Sequence, residues 1–160
     1  MALTQNTKYP FVPSSQLTVS TASPIRFAVQ LRIPAWAGPG TSIAINGRRE
    51  SAAIEPGKFA LIEREWRDGD RIEIEFDMPT TLEAVDPQHP DLRAVVHGPL
   101  ALFCLLPAPE SVQKNELLTA SQIAAGLTTW QAKTANGTLT LLPFTAIDDE
   151  HYRLYSKVEA

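Results

Sequence analysis

The residues best suited to chemistry in this chain are three histidines, one cysteine and several carboxylates. His89, His97 and His151 are scattered, and no two of them have the spacing of metal ligands. Cys104 lies in an apolar run, which favours a buried, inert thiol over a nucleophile. A single cysteine also excludes an internal disulfide and a cysteine-cluster zinc site. These residue types therefore predict no catalytic residue, no metal site and no cofactor.

The spacing of the carboxylates is judged against known kinds of site in the same way. Asp148-Asp149-Glu150 offers oxygen ligands for calcium, but the ordered spacing of a calcium loop is missing, so a solvated acidic turn is favoured. The other candidates alternate with apolar residues and are expected on outer strand faces, where some would form cross-strand ion pairs; they are Glu63, Glu65, Glu73, Glu75 and Asp77. Hydrolysis by two carboxylates of this chain stays open, because a sequence does not give their separation.

Composition narrows the class of protein further. The 160 residues are 44% hydrophobic and 20% charged, as in ordinary globular proteins, and the net charge is −4. No basic run is present, so nucleic acid is not expected as a partner. No apolar stretch reaches the roughly 20 residues that span a bilayer. The N-terminus lacks the layout of a signal peptide. We expect a soluble protein, with no compartment indicated.

The strongest signal in the sequence is a period of two. Ile25, Phe27, Val29, Leu31 and Ile33 alternate with polar residues, and a second alternating stretch runs from Ile72 to Met78. This pattern is typical of strands with one face on a core and one in water. Thirteen prolines spread along the chain argue against long helices. The sequence predicts an all-β fold: an antiparallel two-sheet β-sandwich of jelly-roll type, with about nine or ten strands and little helix.

Turn residues predict how these strands connect. Asn46-Gly47 is the strongest hairpin signal, and Asn136-Gly137 predicts a later hairpin. A hairpin is also expected between Phe59 to Trp66 and Arg71 to Phe76, across the turn Arg67-Asp68-Gly69-Asp70. No repeat or low-complexity linker is visible, so residues 1–160 are interpreted as a single domain.

The segment from Arg93 to Leu106 is apolar at successive positions and predicts a strand covered on both faces. One cover would be the second sheet, and the other a further domain. In that case an apolar patch should be exposed, with Trp36 joining the side chains of Val95, Leu100, Ala101, Phe103 and Leu105. Alternatively, the segment from Glu116 to Leu127, a short helix or a loop, covers that face.

Three tryptophans are the remaining candidates for binding. Trp36, Trp66 and Trp130 could stack on sugar rings or lie at a domain contact, although dispersed tryptophans in a sandwich more often belong to the core. Arg64 and Trp66, two residues apart, share a strand face and are expected to stack.

A series of short motifs, in order along the chain, carries a family resemblance. The series is Leu31-Arg32-Ile33-Pro34-Ala35-Trp36, Ile45-Asn46-Gly47, Pro56-Gly57-Lys58-Phe59, Arg64-Glu65-Trp66-Arg67-Asp68-Gly69-Asp70, Met78-Pro79, His97-Gly98-Pro99-Leu100 and the tail from Pro143-Phe144 to Tyr152-Arg153-Leu154-Tyr155. Together they resemble the C-terminal β-sandwich region of β-L-arabinofuranosidase-like glycoside hydrolases, the family 127 type. The match extends over nearly the whole chain.

The resemblance implies a non-catalytic role for the chain itself. In that family the catalytic machinery, a glutamate and a zinc-binding cysteine cluster, lies in an upstream helical barrel, so no catalytic residue carries over to this sequence. The chain is expected to be an accessory domain of a longer bacterial glycoside hydrolase, with the catalytic barrel as its partner. The alternative is an autonomous carbohydrate-binding module for a plant-type oligosaccharide.

Overall fold

The computed structural model describes residues 1–159 and divides into two compact units, Met1–Pro79 and a second that begins at Thr80. The described chain is almost entirely strand, with one short helix, which confirms the all-β sandwich class. The strand count was wrong, since sixteen strands are present within residues 1–159 instead of nine or ten. The single-domain interpretation and the jelly-roll connectivity stay predictions.

The first unit contains two sheets. Its strands are β1 (Ala2–Thr7), β2 (Ser14–Ser20), β3 (Ile25–Arg32), β4 (Ser42–Ile45), β5 (Arg48–Arg49), β6 (Phe59–Trp66) and β7 (Arg71–Glu75). Five of them form one antiparallel sheet in the order β1-β2-β7-β4-β5. Strands β3 and β6 form a separate two-stranded sheet that pairs from Ile25 opposite Trp66 to Arg32 opposite Phe59.

A core between these two sheets follows from the alternation in the sequence. The five-stranded sheet contributes Val19, Ile43, Ile45, Ile72 and Ile74, and the two-stranded sheet contributes Val29, Leu31, Ala60, Ile62 and Trp66. In β6 and β7 the buried side chains alternate with side chains that are exposed or half-buried. Burial of apolar surface from both layers is therefore what holds the first unit together.

The predicted hairpin between β6 and β7 is wrong. Strand β6 pairs with β3, whereas β7 pairs with β2 and β4 in the other sheet. The turn from Arg67 to Asp70 therefore carries the chain from one layer of the sandwich to the other. Turn residues mark where a strand ends, but they do not decide which neighbour it pairs with.

The second unit is built on one nine-stranded sheet. Its strands are β8 (Thr80–Ala84), β9 (Leu92–His97), β10 (Leu100–Leu105), β11 (Ser111–Gln113), β12 (Ser121–Gln122), β13 (Trp130–Thr134), β14 (Gly137–Pro143), β15 (Tyr152–Arg153) and β16 (Tyr155–Glu159). The main order is β11-β16-β9-β10-β14-β13-β12, with β8 beside β9 and β15 beside β10. Pairing is antiparallel except between β11 and β16.

One expectation for the second unit needed correction, and a second is made more specific by the structure. The single strand expected from Arg93 to Leu106 is the hairpin β9–β10, which turns at Gly98, a residue with positive φ. The segment from Glu116 to Leu127 holds the end of helix α1 (Lys114–Leu117) and the two-residue strand β12. The hairpin at Asn136-Gly137 is confirmed as β13–β14.

The missed strands share a physical reason. Strands β5 and β12 have two residues each, which is too short to show alternation. Strand β1 is exposed along its whole length, so its side chains carry no inward and outward pattern. Periodicity detects only strands that cover a core with one face.

Candidate functional site

The motif residues of the first unit form a hydrogen-bonded network that joins two turns. Asn46, at φ 52°, donates its amide N–H to the Asp70 carboxylate (2.8 Å) and accepts the backbone N–H of Arg71 (2.8 Å). The Asp70 carboxylate also accepts the backbone N–H of Arg67 at 2.9 Å. The Asn-Gly turn and the turn before β7 are thus tied together, which explains these motifs by structure alone.

The charge of Asp70 is stabilised in this network. Burial by itself would raise the pKa of the carboxyl, but the hydrogen bonds from Arg67 and Asn46, with the positive charges of Arg64 and Arg67, lower the pKa. The carboxylate is held by contacts within and between the two turns. Asp70 therefore has a structural role.

The predicted stacking of Arg64 on Trp66 is confirmed, with the guanidinium carbon 5.1 Å from the ring centroid. A cross-strand ion pair of the predicted kind is also present, since Arg26 Nε lies 3.3 Å from the carboxylate of Glu63. Both contacts lie on β3 and β6, and the ion pair is exposed to solvent. Such contacts stabilise strand pairing modestly and do not form a site.

Two of the three candidate tryptophans cannot contact a sugar or another domain. Trp66 and Trp130 have 0% of their surface exposed. Trp66 donates its indole N–H to the Phe27 carbonyl at 3.0 Å, whereas the indole N–H of Trp130 has no hydrogen-bond partner among the described residues. Both are core side chains, as the alternative interpretation held.

Trp36 is half-buried and belongs to an aromatic cluster in the first unit. Its ring is nearly parallel to that of Tyr9, with centroids 6.4 Å apart, and meets Phe76 edge-on at 5.7 Å. Burial raises the pKa of the Tyr9 phenol. No signal in the sequence around Tyr9 indicated this cluster, because Tyr9 lies in a loop far from Trp36 along the chain.

An open groove of about 330 Å³ lies next to this cluster. One wall comes from the inward side of the five-stranded sheet, and the other from the C-terminal half of β3. Most of the exposed lining is apolar. The lining residues are Gln5, Tyr9, Ser15, Leu17, Gln30, Leu31, Arg32, Pro34, Ile74 and Phe76.

The outer face of the five-stranded sheet carries a more polar depression of about 530 Å³. The predicted outward carboxylates Glu73 and Glu75 line it, and Glu73 accepts a hydrogen bond from Gln16 at 3.0 Å. No aromatic side chain is among the residues that line it. The depression therefore offers no aromatic surface on which a sugar ring could stack.

An exposed aromatic cluster marks the outer face of β10 in the second unit. Phe103 lies 5.9 Å from Phe144 and meets Tyr152 edge-on at 5.3 Å, and Phe144 is 66% exposed. On the inward face of the same strand, Leu102 and Cys104 are buried. We call Phe103, Phe144 and Tyr152 the β10 aromatic patch.

This patch refines the expectation for the two-faced strand. Of the five side chains predicted to be exposed, Val95 is buried and Ala101 is exposed, while Leu100, Phe103 and Leu105 are half-buried. The helix and loop after Pro107 therefore do not bury the outer face of β10. Phe144 and Tyr152 lie far from β10 in sequence, and no pattern in the chain joined them to it.

Two of the three histidines, His97 and His89, have local side-chain partners. The His97 Nδ1 atom lies 3.0 Å from the Thr80 hydroxyl, its ring lies 5.8 Å from that of Trp130, and burial lowers its pKa. His89 Nδ1 lies 2.9 Å from the Asp86 carboxylate on the surface, and His151 is exposed. The contacts of His97 and His89 are therefore explained by their own strand and turn.

The remaining candidates are also structural. Burial raises the pKa of the Cys104 thiol, although Arg153 acts against that shift. The Asp148 backbone N–H bonds to the Glu150 carboxylate at 2.8 Å and lowers the pKa of that exposed group. Within residues 1–159, no group of three His, Cys, Asp or Glu side chains could hold a metal ion, and no helix is long and apolar enough to cross a membrane.

Comparison with known families connects the first unit to carbohydrate enzymes. Residues 1–78 match the model of the β-L-arabinofuranosidase GH127 middle domain. The end of this match coincides with the end of the first unit at Pro79, although the two boundaries come from sequence and from geometry separately. The model describes a middle domain, so the C-terminal position predicted for the chain is not confirmed.

Solved structures resemble the whole chain. A glycoside hydrolase aligns with 99% of this chain at 18% identity and a TM-score of 0.74. A GH127 β-L-arabinofuranosidase from Geobacillus stearothermophilus T6 aligns with 98% at 22% identity and a TM-score of 0.74, and a GH127 β-arabinofuranosidase with 98% at 21% identity and 0.69. This chain spans 30–32% of their lengths. A search of curated proteins found no match.

Proposed function

We propose that this chain is a non-catalytic accessory region of a bacterial glycoside hydrolase of the β-L-arabinofuranosidase type, and that it packs against a helical-barrel catalytic domain. The observation that carries the proposal is the match of the family model to the first unit, up to its boundary. The likeness of the whole chain to about a third of each solved hydrolase supports it.

The β10 aromatic patch is the surface that we assign to this packing. Aromatic side chains are enriched at protein interfaces because they bury a large area with little loss of side-chain freedom. A contiguous exposed aromatic patch also promotes self-association when its natural cover is missing. Phe144 combines the largest exposure of the three with a ring contact to Phe103, so it is the best probe of this surface.

The most direct test reads the coding region upstream of the Met1 codon. The proposal expects an in-frame segment that encodes a helical barrel. The joined protein should hydrolyse an aryl β-L-arabinofuranoside, and residues 1–160 alone should not. A coding sequence that begins at Met1 with no helical domain before it would contradict the proposal, as would hydrolysis by the 160-residue chain.

The patch is tested on the 160-residue chain by Phe144→Asp. We expect concentration-dependent self-association of the unchanged chain by analytical ultracentrifugation and a shift of Phe144→Asp toward monomer. Phe59→Asp is the matched control, because Phe59 is similarly exposed, at 59%, but contacts only Arg32 among aromatic or cationic partners of the described chain. Equal behaviour of both variants would remove the patch from the proposal.

The alternative, an autonomous carbohydrate-binding module, is less favoured because two of its three tryptophans are buried. Its remaining candidate is Trp36, whose ring is partly covered by Tyr9 and Phe76. Titration with arabinan, followed by tryptophan fluorescence, separates the two functions. Saturable binding that is lost in a folded Trp36→Ala variant would favour the module.

A further inference from the structure

The two sheets of the first unit are unequal, and the difference leaves one row of inward side chains uncovered. Five strands face two, and the core lies where β3 and β6 cover β2, β7 and β4. On β1, the inward row is identified by Leu3, which pairs with the fully buried Val19, and by Gln5, which pairs with Leu17. Both Leu3 and Gln5 are exposed.

The groove described above lies at this uncovered place. It is lined by β3 and by the inward sides of β1, β2 and β7, and no residue of β6 contributes to it. Within residues 1–159, β3 pairs with β6 alone, so its other edge has no strand partner, and its C-terminal residues Gln30, Leu31 and Arg32 line the groove. Adjacent strands lie about 4.8 Å apart, so a strand beside β3 would lie over the inward row of β1.

We propose that the free edge of β3 is a docking site for an added β-strand from another polypeptide segment, which extends the two-stranded sheet and covers β1. Backbone hydrogen bonds to a sheet edge supply affinity in this mode of recognition, and alternate side chains supply specificity. The proposal rests on the geometry of the first unit and is independent of the proposed function.

The lining of the groove and the charges on β3 indicate which side chains the added strand should carry. Its inward side chains would meet Leu17, Leu31 and Phe76 and should be apolar. Its outward side chains would lie beside the outward row of β3, in which the charged residues are Arg26 and Arg32, six positions apart. Arg32 donates from Nη1 to the Ile33 and Lys58 carbonyls, so the added strand would meet the remaining N–H groups of its guanidinium. On the side of β6, this outward row of β3 already forms an ion pair with an acidic residue, between Arg26 and Glu63. The added strand should therefore carry carboxylates six residues apart.

A second copy of this chain is disfavoured as the occupant. Two β3 strands that pair edge to edge would bring their arginine-bearing outward rows together, and like charges on neighbouring strands are destabilising. Charged side chains also protect free edges from such pairing. What distinguishes β3 from a merely protected edge is the apolar groove and the exposed Leu3 beside it.

The test uses a synthetic nonapeptide, acetylated and amidated, with valine at every odd position, glutamate at the second and eighth positions, and threonine at the fourth and sixth. Titration into the ¹⁵N-labelled 160-residue chain should shift the amide signals of Ile25–Arg32 and slow hydrogen exchange at the alternate residues whose N–H groups point away from β6. Lysine in place of both glutamates should weaken binding roughly tenfold, as expected for two lost surface ion pairs.

Two N-methylated peptides test the strand geometry itself. Backbone N–H groups of successive strand residues point to opposite edges, so methylation at odd or at even positions blocks one edge only. One of the two peptides should bind and the other should not. Binding of both, or of neither when the unmethylated peptide binds, would overturn strand addition.

A charge reversal on the protein gives the matched control. The double variant Arg26→Glu, Arg32→Glu should exchange the preference, so that the lysine peptide binds more tightly than the glutamate peptide, and Arg26→Glu alone should abolish it, while Arg49→Glu at an exposed position on β5 should leave the preference unchanged. No binding of either peptide to a folded chain would overturn the proposal. L-Arabinose that shifts Tyr9 and Phe76 and competes with the peptide would instead identify a sugar site, and a β3-mediated dimer would identify a second copy.

Discussion

The two units of this chain solve the problem of burying a sheet face in different ways. The first uses two sheets, and nearly every core side chain comes from a strand with strict alternation. The second uses one nine-stranded sheet with short strands, a four-residue helix and loops, and its core is drawn from many separate segments. The comparison teaches that regular alternation makes a layer recognisable from sequence, whereas a core assembled from short pieces leaves a weak signal.

The largest expected effect is the loss of stability when a buried tryptophan is replaced, and each unit contains one such tryptophan. Trp66→Ala removes a fully buried ring from the first core and should cost about 3–5 kcal/mol, enough to unfold a marginal unit. Hydrogen exchange of amides in residues 1–79 should accelerate strongly. Retention of native exchange rates there would show that the core of the first unit does not depend on Trp66.

Phenylalanine substitutions sharpen this comparison. Trp66→Phe leaves the Phe27 carbonyl without its indole donor and should cost about 1–3 kcal/mol beyond the packing loss. Trp130→Phe removes an indole N–H that has no partner among the described residues, so it should cost less. Thermal unfolding of the two variants measures the difference, and equal losses would contradict the assigned hydrogen bond.

A second prediction concerns the loop that precedes β4. A methyl group on Gly38 would lie 2.3 Å from Asp77 Oδ2, while one on Gly40 would lie 3.1 Å away. The carboxylate is fixed because it accepts the Gly40 backbone N–H at 3.0 Å. Gly38→Ala should therefore destabilise the first unit by about 1–3 kcal/mol. Chemical denaturation should place Gly40→Ala between this variant and the unchanged chain, and the reverse order would be inconsistent with this packing.

As the pH falls, the second unit should lose stability before the first unit does. Because burial lowers the pKa of His97, the unfolded chain binds a proton below about pH 6.5 that the folded chain resists, and stability falls there. Because the pKa of Asp70 is lower in the folded chain than in the unfolded chain, its carboxylate adds stability above about pH 3.9, the pKa of an unfolded Asp. This stability is lost only as the pH falls through the pKa of Asp70 in the folded chain. Amide exchange at pH 7, 5.5 and 3 should report loss in the second unit first.

Two variants test whether His97 and Asp70 are the groups responsible for these pH dependences. His97→Gln retains a group that can bond to Thr80 and should flatten the dependence between pH 6.5 and 5 in the second unit. Asp70→Asn should flatten the dependence below about pH 4 in the first unit. If either slope persists in its variant, another titrating group is responsible for it.

The smallest expected effect concerns the stacked pair of the first unit. Arg64→Met retains much of the side-chain length but removes the charge over the Trp66 ring and the long contact to Asp70. The loss should be about 0.5–1 kcal/mol. Arg71→Met, at an exposed position with no aromatic contact in the described chain, is the control. A loss equal to that of the control would indicate that the stacking contributes nothing.

Prediction from sequence succeeded where a residue type has only one structural use. Asn46-Gly47 required a turn with positive φ, and the alternation from Ile25 onward required a half-buried strand, and both are present. It failed at the pairing of β6 with β3 and at the joining of Phe144 and Tyr152 to Phe103. Those contacts link residues 27 to 49 positions apart, and local patterns carry no information about such distant neighbours.

The amino-acid sequence by itself determined the all-β class, most strand positions of the first unit and the turn residues that end those strands. Steric limits on φ and the period of two act within a few residues, so they can be read locally. Only the tertiary structure decided which strands share a sheet, that Trp66 and Trp130 are buried, and that an edge of β3 and the outer face of β10 stay open. These features depend on which layers meet, which is settled by burial over the whole fold.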